Sequence, residues 1–208
     1  MQKAVMFDCY NTLLRYESEE ERAGIWKMMK EAIQYTTGIK LLMTPKKLET
    51  LYKAEYDKEE NQSKAMRGEY AEISLSRVWF RILIGLGISE QMAEEKAEDL
   101  LLLHRLYARK EKHLFPHVEK ELIALKEKGM KLLLLSNAPN CFIYNELPVE
   151  VRRLFDVVII SEEVGIKKPS PEVFRLAFEK LNMKPEDTVF VGDSLEDDMI
   201  PSGKLGCH

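Results

Sequence analysis

The chain has 208 residues, of which 45% are hydrophobic and 32% are charged, and its formal net charge is −4. This length and composition fit one globular domain with or without an insertion, and the slightly acidic balance argues against nucleic acid as the main partner. No apolar run is long enough to span a bilayer, and the three cysteines lack the spacing of a zinc site or a disulfide framework, so we expect a cytoplasmic protein without a membrane partner. The cysteines are Cys9, Cys141 and Cys207.

Four short apolar runs predict buried parallel strands, because they are apolar at successive positions rather than alternating. They cover residues 4–7, 132–135, 157–160 and 189–191. Helical patterns precede the second run and the last run, with apolar residues along one face from Val118 to Leu125 and from Phe174 to Leu181. Strands therefore alternate with helices, which predicts an α/β fold with a doubly wound parallel-sheet, Rossmann-like core.

The segment between the first two strands breaks this alternation, and we expect only helices between Leu14 and Phe115. Apolar residues share one helix face over residues 19–35, 69–86 and 89–110, and Ser89 is typical of an N-cap. This pattern predicts an all-helical cap domain at residues 15–112, inserted into a catalytic core made of residues 1–14 and 113–208. We expect such an insertion to act as a lid over the edge of the sheet.

Acidic residues follow the first and the last predicted strands. Asp8 comes directly after the first run, Asp193 follows the last run, and Asp198 lies about one helical turn further on. Taken singly, each of these acids also fits an ordinary loop or helix start. The carboxyl ends of parallel strands, however, meet at the edge of the sheet where ligands bind, and a carboxylate there is suited to act as a nucleophile or a metal ligand. Together the three acids predict a hydrolase with an aspartate nucleophile.

Polar side chains at three further places complete this candidate site. Ser136 and Asn137 end the second predicted strand, where a hydroxyl and nearby N–H groups can hold an anionic oxygen. Lys168 precedes a proline, which favours an extended conformation, and its charge would offset a cluster of carboxylates. Thr12 adds a hydroxyl to the tight loop after Asp8. We therefore include these four side chains in the predicted catalytic set.

In this order, the segments resemble the motifs of the haloacid dehalogenase superfamily. The matching patterns are Asp-x-x-x-Thr-Leu from Asp8, Ser-Asn from Ser136, Gly-x-x-Lys-Pro-x-Pro-x-x-Phe from Gly165 and Gly-Asp-Ser-x-x-x-Asp from Gly192. The resemblance covers the predicted core, and the insertion has the placement of the family's cap without its sequence signature. Members of this superfamily are mostly Mg²⁺-dependent phosphatases, and they usually continue with another strand after the helix that follows Asp198.

The resemblance also implies a role for each candidate residue. Asp8 would be the nucleophile that forms a covalent ester, and Lys168 would neutralise charge at Asp8. Ser136 and Asn137 would bind the group that is transferred. The Mg²⁺ ligands would be Asp8, Asp193, Asp198 and the backbone carbonyl of Tyr10.

Tyr10 departs from the phosphatase pattern, which has a second aspartate there to protonate the leaving group and to activate water. A tyrosine phenol is a poor base near neutral pH. Tyr10 is instead similar to the pattern of L-2-haloacid dehalogenases, which need no metal and release a halide that needs no proton. The comparable part of the insertion, however, lacks the arginine of that subfamily, and Asp193 belongs to the metal-binding type of motif.

Three hypotheses therefore remain open. We favour a Mg²⁺-dependent phosphatase-type hydrolase that acts on a small phosphorylated metabolite through a covalent aspartyl intermediate. The first alternative is a metal-independent hydrolase of the L-2-haloacid dehalogenase type. The second is a catalytically weak binding or regulatory protein on the same fold. All three predict the same fold, and the sequence leaves the identity of the substrate and the oligomeric state open.

Overall fold

The computed structural model describes residues 3–19, 22 and 24–208. The chain forms two compact units. The core unit comprises residues 1–16, 67–72 and 112–208, and the insert unit comprises residues 17–66 and 73–111. The sequence-based boundary placed residues 67–72 in the insertion, whereas in the structure they pack with the core unit.

The strands form a parallel sheet in the core unit and a two-stranded sheet at the entry and exit of the insertion. In chain order they are β1 (Ala4–Phe7), β2 (Leu14–Ser18), β3 (Arg109–Leu114), β4 (Lys131–Ser136), β5 (Val157–Ile160) and β6 (Thr188–Val191). The parallel sheet has the order β5-β4-β1-β6. The four predicted parallel strands are thereby confirmed. Because the chain builds outwards from β1 in both directions, the carboxyl end of β1 lies at the switch point where such sheets bind ligands.

The helices divide between the two units. The insert unit contains α1 (Ile25–Thr37), α2 (Pro45–Arg67, whose last residue packs with the core unit), α3 (Leu75–Gly85) and α4 (Glu90–Ala108). The core unit contains α5 (Val118–Glu127), α6 (Asn140–Glu146), α7 (Val149–Arg152), α8 (Ser161–Val164), α9 (Pro171–Leu181) and α10 (Ile200–Lys204). A 3₁₀ turn covers Pro185–Asp187 and a π-helical turn covers Leu195–Met199. No described helix combines the length and the apolar character needed to cross a bilayer.

Both faces of the parallel sheet are covered, which is why its strands are apolar at successive positions. Val5 and Phe7 of β1 belong to an apolar cluster that also contains residues of α5, α6 and α7. Ala4 and Met6 belong to a second cluster, in which Phe174 of α9 is fully buried. Successive side chains of a strand point to opposite faces, so β1 contributes to both layers. This arrangement confirms the predicted doubly wound α/β core.

The prediction of helices alone between Leu14 and Phe115 is wrong at both ends of that segment. β2 and β3 lie there and pair with each other. β2 begins with a buried, half-buried, buried pattern, which matches the period of two in a strand with one covered face. Five residues are too few for this pattern to stand out beside the long helical repeats that follow it.

The helices of the insertion also differ from the expected ranges. α1 begins at Ile25 rather than at residue 19, and residues 20, 21 and 23 of the predicted range lie outside the described residues. α3 begins at Leu75 rather than at residue 69, because the preceding residues pair with another loop. The predicted cap of α4 is confirmed, since the Ser89 hydroxyl accepts a hydrogen bond from the Met92 N–H at 3.4 Å. Cys9, Cys141 and Cys207 are buried thiols.

Candidate active site

A buried lysine links two aspartates at the carboxyl end of the parallel sheet. Asp8 directly follows β1, and its N–H donates to the carbonyl of Val191 at 2.9 Å, which ties it to the end of β6. The Nζ of Lys168 donates to Asp8 Oδ1 at 2.6 Å and to Asp198 Oδ1 at 2.7 Å. All three side chains are buried, and that of Asp198 is only 1% exposed. Segments that are distant in the sequence thus meet in one charged cluster.

The charges in this cluster determine how its members ionise. Burial raises the pKa of Asp8 above its usual value, the nearby Lys168 charge opposes that effect, and the charge of Asp198 adds to it. Burial by itself would lower the pKa of Lys168, but the charges of Asp8 and Asp198 outweigh burial and raise it. Lys168 therefore stays an ammonium ion, and its charge favours the ionised form of Asp8 against the effect of burial.

Asp198 is fixed by the turn that follows β6. Its Oδ2 accepts a hydrogen bond from the N–H of Ser194 at 3.1 Å. The carboxylate also lies against the Cα of Gly192, where an added Cβ would collide with Oδ2. Glycine at position 192 is therefore required by close approach of the side chain of Asp198 rather than by backbone conformation.

Asp8, Asp193 and Asp198 can direct one carboxylate oxygen each to a common point, since these oxygens lie within 4.8 Å of one another. Asp8 and Asp198 are buried, while Asp193 is exposed. The single ammonium group of Lys168 balances only one of the three negative charges. A set of carboxylate oxygens with residual negative charge is what Mg²⁺ binds in proteins, so these residues fit a divalent cation.

Asn137 holds the backbone of Lys168. Its Nδ2 donates to the Lys168 carbonyl at 2.9 Å, and its Oδ1 accepts from the Lys168 N–H at 2.8 Å. The resemblance suggested that Asn137 binds the transferred group, but both polar ends of its side chain are engaged by Lys168. The structure therefore gives Asn137 a contact that fixes the lysine at the end of β4.

Two predicted hydroxyl groups are buried without a hydrogen-bond partner in the part of the chain that the structure describes. They are Ser136 Oγ and Thr12 Oγ1. Ser136 is the last residue of β4, and the register pairs Leu134 of β4 with Phe7 of β1, so Ser136 lies at the same edge as Asp8. A buried hydroxyl without a partner is costly, by about 1–3 kcal/mol, and a bound anionic oxygen would satisfy it.

Tyr10 directs its phenol to a residue that the sequence did not indicate. The hydroxyl donates to Oε2 of Glu146 at 2.7 Å, and Glu146 is buried at the end of α6. The ring of Tyr10 packs edge-to-face on Tyr16 with centroids 5.6 Å apart. Glu146 lies outside the motifs, and a glutamate at the end of a helix carries no local signal, so only the three-dimensional structure identifies this pair.

Comparison with known proteins finds a family that covers nearly the whole chain and curated relatives that match less than half of it. The profile described as haloacid dehalogenase-like hydrolase matches residues 2–202. A glyceraldehyde 3-phosphate phosphatase from Methanocaldococcus jannaschii is 36% identical over 44% of this chain and 41% of its own length. A phosphoglycolate phosphatase from Escherichia coli K12 is 38% identical over 45% of this chain and 37% of its own length. The chain thus spans about two fifths of the length of these curated relatives.

Solved structures with the same fold include both enzyme types that the sequence left open. A 2-haloacid dehalogenase from Pseudomonas syringae pv. Tomato DC3000 superposes with a TM-score of 0.66 at 22% identity, covering 100% of this chain and 84% of that one. A phosphatase from Thermococcus onnurineus superposes with a TM-score of 0.59 at 20% identity, covering 100% of this chain and 84% of that one. At such identities the likeness concerns the fold.

Proposed function

We propose that this chain, which belongs to the haloacid dehalogenase-like hydrolase family, is a Mg²⁺-dependent phosphatase that uses Asp8 as its nucleophile. The observation that carries the proposal is the Lys168 ammonium between Asp8 and Asp198, with Asp193 close enough to share a cation with both. A dehalogenase that works without metal needs no such surplus of carboxylates. The arrangement is therefore better suited to a substrate that is itself rich in negative charge.

The reaction follows from the positions of these side chains. The Asp8 carboxylate attacks phosphorus and forms an aspartyl phosphate, while the bond between phosphorus and the ester oxygen breaks and the leaving oxygen takes a proton from water. Water then attacks the phosphorus, releases inorganic phosphate and restores the Asp8 carboxylate. Lys168 keeps Asp8 ionised before the attack, and Ser136 and Thr12 offer hydroxyl donors to the phosphoryl oxygens.

The Mg²⁺ ion would be held by the carboxylates of Asp8, Asp193 and Asp198 and, as a further proposed ligand, by the backbone carbonyl of Tyr10. When bound, it supplies positive charge to the oxygens of the phosphoryl group. The charge of the site supports this proposal. It has three carboxylates and the ammonium group of Lys168, so that a divalent cation would bring the local charge close to neutral.

The relatives support a small phosphorylated metabolite as the substrate. Two of them are named as phosphatases of glyceraldehyde 3-phosphate and of phosphoglycolate. These substrates are phosphate esters of a three-carbon and a two-carbon compound, respectively. Because the chain spans only about two fifths of their length, the substrate class is part of the proposal.

The second candidate function is hydrolysis of an L-2-haloacid, and Tyr10 is the residue that favours it. Tyr10 stands where phosphatases of the family have an acid/base aspartate, and its hydroxyl is engaged with Glu146. A halide leaves without a proton, so a dehalogenase has no use for that aspartate. A slow phosphatase would also be consistent with tyrosine there, since a missing acid/base group lowers the rate by roughly 10²–10⁴-fold.

The test is an assay of phosphate release from a panel of small phosphate esters and of halide release from L-2-chloropropionate, each with Mg²⁺ and with EDTA. Asp8→Asn serves as the nucleophile-free variant, and it preserves the shape of the side chain. We expect phosphate release that requires both Mg²⁺ and Asp8. Halide release that EDTA does not affect would replace the phosphatase by the dehalogenase.

If no substrate of the panel is hydrolysed, Mg²⁺ binding to the wild type and to Asp198→Asn would be measured by calorimetric titration. Binding of Mg²⁺ by the wild type but not by the variant, without turnover of any ester, would favour a protein that binds its ligand without hydrolysing it. Absence of Mg²⁺ binding would contradict the metal-dependent proposal directly.

A further inference from the structure

The segment that joins α2 to α3 belongs to the core unit, although both helices that flank it belong to the insert unit. We call residues 67–72 the return segment. Gly68 has a φ of 94°, and Ala71 donates its N–H to the Gly68 carbonyl at 3.1 Å, so a tight turn ends α2. α3 begins at Leu75, four residues after Ala71, which leaves a short extended stretch between the turn and the helix.

This extended stretch pairs with the loop immediately before Lys168. Ala71 and Ile166 form an antiparallel bridge. On either side of it, the Glu72 N–H donates to the Gly165 carbonyl at 3.0 Å and the Lys167 N–H donates to the Tyr70 carbonyl at 3.0 Å. Ala71 is only 1% exposed, so the centre of this bridge is buried.

A side-chain contact joins the same two segments. The guanidinium group of Arg67 lies over Gly165, so that a Cβ at residue 165 would stand 2.5 Å from Arg67 Nη1. Gly165 also has a φ of 77°, a conformation that residues with a Cβ rarely adopt. The return segment therefore contacts the loop through its backbone and through Arg67.

Lys168, the lysine of the charged cluster, directly follows the loop residues that pair with the return segment. Lys168 is held at its backbone by Asn137, and its ammonium reaches Asp8 at 2.6 Å. The residue directly before it, Lys167, is held by Tyr70 of the return segment. The loop is thus fixed from two sides, by the end of β4 and by the return segment.

We propose that the return segment is a positioning element for Lys168. Its backbone hydrogen bonds to residues 165 and 167 hold the loop so that the ammonium group of Lys168 contacts Asp8. Displacement of a catalytic group by about 1 Å lowers a rate by roughly 10²-fold, so loosening this pairing affects turnover more than binding. The catalytic part of this inference rests on the proposed function, whereas the ordering of the loop does not.

The first test compares Glu72→Pro with Glu72→Ala. Proline removes the N–H that donates to Gly165, and it favours the extended conformation that Ala71 needs for the bridge. Alanine removes the same side chain and keeps the N–H. We expect kcat for a phosphate ester to be about 10- to 100-fold lower in Glu72→Pro than in Glu72→Ala, with KM differing by less than about twofold between the two variants.

A second pair of variants covers the case in which Glu72→Pro does not fold, which thermal melting would show. Gly68→Ala strains the turn that starts the return segment, and no atom stands within 4 Å of the new Cβ. Gly38→Ala is its matched control, because Gly38 also follows a helix with positive φ and open space, but lies in the insert unit. We expect similar losses of melting temperature and a lower kcat for Gly68→Ala alone.

Amide hydrogen exchange measured by NMR provides a readout that does not depend on activity. In Glu72→Pro the amides of Lys167 and Lys168 should exchange at least about 10-fold faster than in Glu72→Ala, since their loop has lost one of its two supports. If the wild type hydrolyses no phosphate ester, the proposed function fails and exchange alone decides whether the return segment orders the loop. Unchanged exchange, or a wild-type kcat in folded Glu72→Pro, would overturn the inference.

Discussion

The charged cluster of the core unit and an aromatic cluster of the insert unit bury polar atoms in opposite ways. In the charged cluster, Lys168 bonds to both Asp8 and Asp198. The aromatic cluster consists of Trp26, Tyr52, Trp79 and His104. Within the described residues, His104 Nε2 and Trp79 Nε1 have no hydrogen-bond partner. Burial lowers the pKa of His104 to about 4, so this imidazole is neutral.

The difference shows what each unit uses its buried groups for. Aromatic rings with centroids 5.1–5.6 Å from His104 stabilise the insert unit by packing, and a neutral imidazole can join them at moderate cost. Buried charges seldom add net stability compared with apolar residues of the same size, because their desolvation offsets their attraction. The buried cluster of Asp8, Lys168 and Asp198 at the carboxyl edge of the sheet is therefore better explained by chemistry than by folding.

The largest expected effect on stability comes from removing the cation of the charged cluster. Lys168→Met leaves the Asp8 and Asp198 carboxylates buried and facing each other, which should lower the free energy of unfolding by about 3–5 kcal/mol. Urea denaturation in EDTA measures this loss without compensation by a divalent cation. Lys167→Met is the matched control and should stay within about 0.5 kcal/mol of the wild type. Equal stability of the two variants would mean that the cluster is not charged as described.

The contribution of the aromatic cluster to the free energy of unfolding should depend on pH, through His104. The folded pKa of His104 is about 4, below the ordinary value of 6.5, so between these values the unfolded chain binds a proton that the folded chain does not. Stability is thus fully present above pH 6.5, falls as the pH is lowered toward 4, and loses about 3 kcal/mol in total.

His104→Leu tests this expectation by comparison with the wild type. Urea denaturation at intervals from pH 7 to pH 4 should show the wild type losing stability relative to the variant across that window. His113→Leu, which replaces an exposed histidine, is the matched control substitution. Parallel curves for the wild type and His104→Leu would show that His104 is not buried in its neutral form.

The two clusters also differ in how far the sequence predicts them. Asp8 and Asp193 were predicted because they follow apolar runs, which are reliable signs of strands buried on both faces, and Asp198 because it lies about one helical turn after Asp193. What links them is a contact between Lys168 and Asp8, residues 160 positions apart. The resemblance to a family suggested that contact, whereas composition and periodicity could not.

Contacts without a local pattern were missed. The helix predicted from residue 69 begins at Leu75, because the residues before it pair with a loop almost 100 positions away. Their local propensity gave no sign of this, since tertiary pairing decides such short segments. Glu146 was missed for the same reason, as its partner Tyr10 lies on a different element. Sequence thus predicted the strands and their terminal residues better than the contacts that orient them.

The smallest expected effect on stability comes from comparing two buried serines. The hydroxyl of Ser161 has a partner within the fold, and that of Ser136 is available to a ligand. Ser136 and Ser161 are both fully buried in the core unit. The Ser161 hydroxyl accepts from the Ala138 N–H at 2.9 Å, whereas that of Ser136 has no partner among the described residues. Ser161→Ala should therefore lower the free energy of unfolding by about 1–3 kcal/mol, whereas Ser136→Ala removes an unsatisfied hydroxyl and should leave that free energy unchanged or raise it by about 1 kcal/mol.

Activity should rank the two serine variants in the reverse order. If the Ser136 hydroxyl donates to a phosphoryl oxygen, Ser136→Ala lowers kcat/KM for a phosphate ester by about 10²-fold or more, as loss of one such donor does elsewhere. Ser161→Ala should leave kcat/KM near the wild type at temperatures below its melting transition. A stability loss in Ser136→Ala equal to that of Ser161→Ala would instead mean that the Ser136 hydroxyl has a structural partner. Thr12 would then be the remaining hydroxyl proposed to donate to a phosphoryl oxygen.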